Sequence, residues 1–244
     1  VKPLVVLENV TFKYPGSQSG VEAVSFNVYP GEVLALLGPS GAGKSTILHI
    51  IAGLLKPQGG SVMVDCEVAI LMQNYEAQLI YPTVFEEVFH NALIKSKGDR
   101  DEALKIVEGV LKEFKLENLR GRYTYKLSFG EKKRLAIALT LMMDPLLLLL
   151  DEPLTDADLV TEELVREHLV KTRMRGGAAI IATNDLMTAL ELVDRIVLMM
   201  EGKVLGEYKV TDERFLEDLK YLRCLGVRVP KLLERCKGYL VRLK

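Results

Sequence analysis

Residues 4–14, 23–29 and 32–37 are rich in Val, Phe and Leu and are separated by the turn pairs Pro15-Gly16 and Pro30-Gly31, a pattern that predicts strands. A helix is predicted over 43–54, stopped by Lys56-Pro57 and the Gly59-Gly60 pair, with short strands following at 62–64 and 68–72. From about residue 82 to 115 the period turns helical: Val84, Val88 and Ala92, then Leu104, Val107, Leu111 and Phe114, recur at helical spacing. Asp99 with Glu102 predicts a capped start for the second of these helices. Residues 146–150, 178–182 and 196–200 are apolar without alternation, as parallel strands buried on both faces require. Helices are expected between them, and Glu201-Gly202-Lys203 reads as a hairpin turn. The pattern predicts an α/β sheet into which a helical block is inserted.

Composition narrows the function. A chain of 244 residues that is 49% apolar can bury a sizeable core, and 32 basic side chains nearly cancel 33 acidic ones to leave −1. Near-neutrality argues against a general nucleic-acid binder, and the apolar content against disorder. The charge is unevenly spread, however. Residues 220–244 hold eight basic side chains against Glu234 alone, a net +7 that leaves −8 for residues 1–219. That tail reads either as a solvated helical face or as a docking surface. Cys66, Cys224 and Cys236 are too scattered for a disulfide framework or zinc knuckle, which points to a reducing compartment. No apolar run approaches the ~20 residues of a membrane span. Glu8 and Lys13 also interrupt the start of the chain where a signal peptide would be apolar. The expectation is a soluble chain that reaches a membrane only through a partner.

The chemistry-bearing segment is Gly38-Pro39-Ser40-Gly41-Ala42-Gly43-Lys44-Ser45-Thr46, which fits G-x-x-x-x-G-K-[ST] between a predicted strand and a predicted helix. Its glycines let backbone N–H groups converge on phosphate oxygens, and the helix N-terminus adds partial positive charge. Lys44 supplies a point charge for the β and γ phosphates, and Ser45 a hydroxyl for Mg²⁺. The apolar run at 146–150 delivers Asp151 and Glu152 to the carboxyl end of the sheet, where ligands bind in such folds. There Asp151 can hold Mg²⁺ and Glu152 can take a proton from an attacking water. Two acids that merely cap the next helix are the plainer alternative. Ser128 with Glu131 makes a capping box that opens a basic helix at Lys132-Lys133-Arg134.

Together with those two motifs, Leu127-Ser128-Phe129-Gly130-Glu131 resembles the LSGGQ signature of ATP-binding-cassette ATPases. The resemblance covers nearly the whole chain and implies a P-loop NTPase fold. It places a nucleotide-binding α/β core with an N-terminal β-subdomain at 1–75 and 130–210, a helical subdomain ending in the signature at 76–129, and a basic helical C-terminal extension at 211–244. It also implies ATP and Mg²⁺ as cofactors. In that family the signature of one subunit clasps the γ-phosphate bound to the other, so Ser128, Gly130 and Glu131 are expected to serve a partner's ATP. Phe129 and Glu131 stand where the family has Gly and Gln. Tyr14 looks like the aromatic that stacks on adenine, a core tyrosine being the alternative. Gln73 looks like the glutamine that touches Mg²⁺ and water and senses the membrane partner, and Asp158 like the aspartate that crosses the dimer interface. Asn184 stands where the family has a histidine that contacts the γ-phosphate; it offers a shorter, neutral donor. His49 reads as packed in the phosphate-loop helix, and His90 and His168 as helix-surface residues.

The segment from Met72 to Val88, with a second glutamine at Gln78 followed by Pro82-Thr83-Val84, resembles the ATPases of energy-coupling-factor transporters, and so does the tail around residues 225–232. That branch imports vitamins and transition metals, and it often pairs two unlike ATPase subunits beneath an integral membrane component and a substrate-binding membrane subunit. The resemblance implies a peripheral protein on the cytoplasmic face of the membrane. Residues 60–72 form a shorter stretch than is usual in the family. The expected activity is ATP hydrolysis coupled to transport. The alternative is a weakly or non-hydrolysing subunit that acts as scaffold and signature donor for a catalytic partner. A soluble cassette acting on nucleic acid would carry two cassettes or a long coiled coil, and a GTPase would carry an Asn-Lys-x-Asp motif; neither feature is present.

Overall fold

The computed structural model describes residues 1–211 and 227–228. In chain order the strands are β1 (Val5–Lys13), β2 (Gly20–Val28), β3 (Val33–Leu37), β4 (Gly59–Val64), β5 (Val68–Leu71), β6 (Leu147–Asp151), β7 (Ala178–Thr183), β8 (Arg195–Met200) and β9 (Lys203–Lys209). The helices are α1 (Lys44–Ile51), α2 (Val84–Lys95), α3 (Arg100–Glu113), α4 (Phe129–Leu141), α5 (Leu159–Met174) and α6 (Leu186–Leu192).

Alternation builds the first sheet. Val5, Leu7, Val10 and Phe12 point inward from β1, and the change of phase between Leu7 and Val10 is a register shift at Asn9, where φ is +50°. With its neighbours β1 makes an antiparallel sheet in the order β2-β1-β4. The Gly59-Gly60 pair, expected as a helix stop, is instead the beginning of β4, with Gly59 opposite Thr11. Helix α1 ends at Ile51, earlier than expected, because Gly53 turns the chain at φ +73° while Leu54 N–H returns to His49 C=O at 2.8 Å.

The second sheet runs β5-β6-β7-β3-β8-β9. Its first five strands are parallel, and β9 joins antiparallel through the Glu201-Gly202 turn, both residues at positive φ. Strands β3, β6 and β7 are buried at every position. Their residues divide by parity: Leu34 and Leu36 face α1 and the antiparallel sheet, whereas Val33, Ala35 and Leu37 face the core shared with α2 to α6. The buried stripe of α3 is Ala103, Val107, Val110 and Leu111; Leu104, expected in that stripe, is exposed. No helix among the described residues is long and apolar enough to cross a membrane. The tail reading for 220–244 lies outside the described residues except at Val227 and Arg228.

His168 is buried rather than on a helix surface: its ring packs on Phe114 and its Nε2 lies 3.2 Å from Glu113. His90 is half-buried and stacks flat on Tyr81 at 3.9 Å. Burial lowers the His168 pKa, and although burial pushes Glu113 up, its bonds from Lys171 and His168 hold that carboxyl below its ordinary value. An unfolded chain protonates histidine near pH ~6.5, before the folded one does, so stability falls as pH drops through that value. Glu113 acts in the same direction at lower pH, losing its contribution as pH falls through its depressed folded pKa. We expect Tm to decline from pH 7 to pH 5, and His168→Gln to remove part of the decline; a parallel pH profile in the variant would refute the assignment.

Candidate nucleotide-binding site

The cleft lies at the carboxyl ends of β5, β6, β7 and β3, four adjacent strands kept in step by pairs such as Leu71–Leu150, Asp151–Ala182 and Leu37–Thr183. Register therefore assembles the site. Gln73 follows β5, Asp151 ends β6 with Glu152 after it, Asn184 follows β7, and the loop from Gly38 to Gly43 leaves β3 for α1. The cleft is about 220 Å³ and is lined by Tyr14, Ser40, Gly41, Gly43, Lys44, Ser45, Thr46, Gln73, Asp151, Glu152 and Asn184, joined by Ser19 and Gly20. Gly38 sits behind it, where a Cβ would meet Met199 C=O at 2.2 Å. Gly43 has φ +96°, and a Cβ there would also fall 2.6 Å from Val21 Cγ1.

Lys44 is 6% exposed, and its Nζ donates to the carbonyls of Gly38 at 2.8 Å and Pro39 at 2.9 Å. Burial lowers its pKa, opposed by the negative charges of Glu152 and Asp151. Asp151 is 3% exposed, and its Oδ2 has no hydrogen-bond partner. Burial pushes its pKa up, a bond from Ser45 opposes that, and Glu152 adds to it. A buried, unpartnered carboxylate oxygen is costly, which marks it as a place for a cation.

Glu152 is held differently. Its Oε1 accepts the Asn184 N–H at 3.0 Å, and its Oε2 accepts the hydroxyls of Thr155 at 2.9 Å and Thr183 at 3.3 Å. Its backbone is left-handed, φ +48°, an uncommon conformation for a residue with a Cβ and a recurrent one at functional sites. The Tyr14 hydroxyl lies 3.3 Å from the Thr46 hydroxyl, with the Tyr14 ring edge-on to Phe12 at the mouth of the cleft.

The signature residues do not line this cleft. Ser128, Phe129 and Gly130 are exposed at the start of α4. Ser128 Oγ accepts the Glu131 N–H at 3.4 Å, and Glu131 Oε2 accepts the Ser128 N–H at 2.7 Å, the expected capping box. Asp158 likewise stays outside, capping α5 through the Thr161 N–H at 2.8 Å and pairing with Arg134. The Gln73 segment braces the signature from behind. The Tyr75 hydroxyl donates to Phe129 C=O at 3.3 Å, while Gln78 bonds Met72 N–H and Ile70 C=O, both at 2.9 Å.

Several participants carried no signal in the sequence. Thr155, Thr183 and Lys133 reach Glu152 only through the fold, and Ser19 and Gly20 reach the cleft from the turn before β2. Arg228 N–H donates to Asn184 C=O at 2.9 Å and its own C=O accepts Leu186 N–H at 3.2 Å, with Val227 buried beside α6. The Gly-rich run, the paired acids and the Ser128–Glu131 capping box were found from spacing.

A glycine loop with a buried lysine, facing paired acids at the carboxyl edge of a parallel sheet, defines a P-loop nucleotide-binding protein. Residues 21–155 match the family model described as ABC transporter. The chain belongs to the ABC transporter ATPase family. It is 34% identical to the cobalt import ATP-binding protein CbiO of Rhodobacter capsulatus over 95% of this chain and 87% of that protein. It is also 31% identical to the energy-coupling factor transporter ATP-binding protein EcfA2 of Methanospirillum hungatei over 96% of this chain and 62% of that one. Other curated relatives are longer still, the chain spanning as little as 38% of their length. Among solved structures, cbiO1 of Clostridium perfringens, part of the complex cbiONQ, superposes with a TM-score of 0.73 at 29% identity, covering 97% of this chain and 100% of that one.

Proposed function

We propose that this chain binds and hydrolyses MgATP as one ATPase subunit of an energy-coupling-factor type importer of vitamins or transition-metal ions. It would work with a second, unlike ATPase subunit and with integral membrane components on the cytoplasmic face of the membrane. The observation that carries this reading is the exposed signature outside the cleft. Ser128 and Gly130 are presented to solvent while the same chain's phosphate loop, Asp151 and Glu152 converge elsewhere, so each half-site needs a complement from another subunit. The likeness to CbiO and EcfA2 supports the importer class.

The residues fit Mg²⁺: Asp151 offers an unpartnered oxygen and Ser45 a hydroxyl beside it, and Gln73 also lines the cleft. Among the described residues no cluster of three or more His, Cys, Asp or Glu forms a cage, as suits a cation that takes its other ligands from phosphates and water. A cation held by Asp151 and Ser45 would supply positive charge to offset that of the phosphates. Lys44, whose Nζ lies at the Gly38 and Pro39 carbonyls of the loop, supplies positive charge for the phosphates. Glu152, with its carboxylate oriented by three donors, takes the proton of the attacking water. Gln73 and the Asn184 side chain orient that water and the γ-phosphate. The test is co-expression with the membrane components of such an importer. Co-purification and nucleotide-dependent uptake are expected; ATPase activity with no association would reject the importer reading.

Asn184 favours a second reading, a weakly hydrolysing subunit that mainly donates its signature. Against it, Glu152 is anchored by the Asn184 backbone N–H, which any side chain at that position leaves intact. Asn184→His is expected to raise kcat by about tenfold, the worth of one hydrogen bond to a charged group, with KM unchanged. An unchanged kcat would show that the neutral side chain limits nothing.

A further inference from the structure

The basic run that opens α4 fans out to three loops. Lys132 pairs with Glu76, three residues past Gln73, at 2.9 Å, and Arg134 pairs with Asp158. Lys133 lies between them and is 4% exposed. Its Nζ donates to Glu152 C=O at 3.1 Å and to Thr155 C=O. A buried ammonium is costly unless bonded, and a methionine would fill the same space without that cost. Both of its acceptors belong to the loop that carries the Glu152 carboxylate. That loop holds two residues with a Cβ in left-handed conformation, Glu152 at φ +48° and Asp156 at φ +56°. Three donors fix the carboxylate, and Lys133 fixes the peptide behind it.

We propose that Lys133 is a positioning residue for hydrolysis, holding the backbone of Glu152 in register with the signature helix. Lys133 lies five residues beyond the cap Ser128, about 7.5 Å along a rigid helix, so a displacement of the signature end is carried to the Nζ. The general base in this chain's own cleft is then aligned only when α4 is seated, and α4 is the element that presents Ser128 and Gly130 to a second subunit. The inference rests on the reading of Glu152 as general base, and it makes the two half-sites of an ATPase pair interdependent through one side chain.

The experiment compares the parent chain with Lys133→Met, which keeps the apolar stem and loses the donor. The expected result is a 10- to 100-fold fall in kcat, as for a small misplacement of a catalytic group, with KM and the Kd for ATP within about twofold. Lys133→Gln, which keeps one donor, should recover part of the loss. In a Glu152→Gln background Lys133→Met should cost nothing more, since a residue acting through another is not additive with it. Hydrogen exchange over residues 152–158 should accelerate in Lys133→Met, while that over 38–46 stays as it is. The exchange measurement needs no turnover. A parent chain that binds ATP without hydrolysing it would therefore defeat the general-base reading while exchange still decides the role of Lys133. Unchanged exchange over 152–158, or a full additional loss in the Glu152→Gln background, would overturn the proposal.

Discussion

Glu152→Gln is expected to lower kcat by about 10²- to 10⁴-fold, the usual contribution of general base catalysis, while ATP binds with its affinity retained. The reason is geometric. Gln keeps the size and the acceptor oxygen for the Asn184 N–H, which lies at 3.0 Å, so the loop and the cleft stay as they are. What is lost is a group able to take a proton from water. Mixing parent and variant subunits sharpens the result: if the pair has two active sites, one variant copy leaves the other site its base. Single-turnover hydrolysis and nucleotide binding by equilibrium dialysis measure the two halves of the expectation. A variant that loses affinity together with rate would mean that Glu152 is structural.

Lys44→Met should have the opposite signature, loss of ATP binding by about 30-fold to several thousand-fold, the range for removing one partner of a buried charge pair. Lys44 is buried and donates to the Gly38 and Pro39 carbonyls, and burial lowers its pKa. It is held within the loop it closes. Removing it loses two hydrogen bonds and relieves a buried charge, terms that oppose each other, so Tm should change little while affinity falls. Isothermal titration with ATP and a thermal melt in parallel check both. Retained affinity would mean that the backbone N–H groups of the loop bind phosphate without the lysine.

Most local features were legible because their causes are local. The capping box at Ser128 and the cap at Asp99 each rest on side chains that reach backbone N–H groups within three residues; the capping box at Thr83, equally local, went unread. Unbroken apolar runs marked β6 and β7 because a strand covered on both faces leaves no room for polar alternation. Where neighbours decide, the pattern misled. Leu104 has the right spacing for the buried stripe, yet the helix turns Ala103 inward in its place, and His168 fits a surface pattern but is roofed by Phe114 and Glu113. The Gly59-Gly60 pair looked like a stop signal, and its pairing with β1 made it strand.

The sequence by itself determined the chemistry this protein can offer: a glycine loop able to cradle phosphate, a lysine and a hydroxyl beside it, and two acids at the end of a buried strand. Those properties are carried by residue type and short spacing, and they hold in any fold that keeps strand and helix in order. Only the tertiary structure decided which groups act together. Strand register brought Gln73, Glu152 and Asn184 into one cleft with Lys44, packing sent the Lys133 Nζ to the Glu152 carbonyl, and Arg228 met Asn184 from the far end of the chain. The physical reason is range. A hydrogen bond or a desolvated charge acts over a few ångströms, and which groups come that close across a hundred residues of sequence is set by how sheets pair and helices pack.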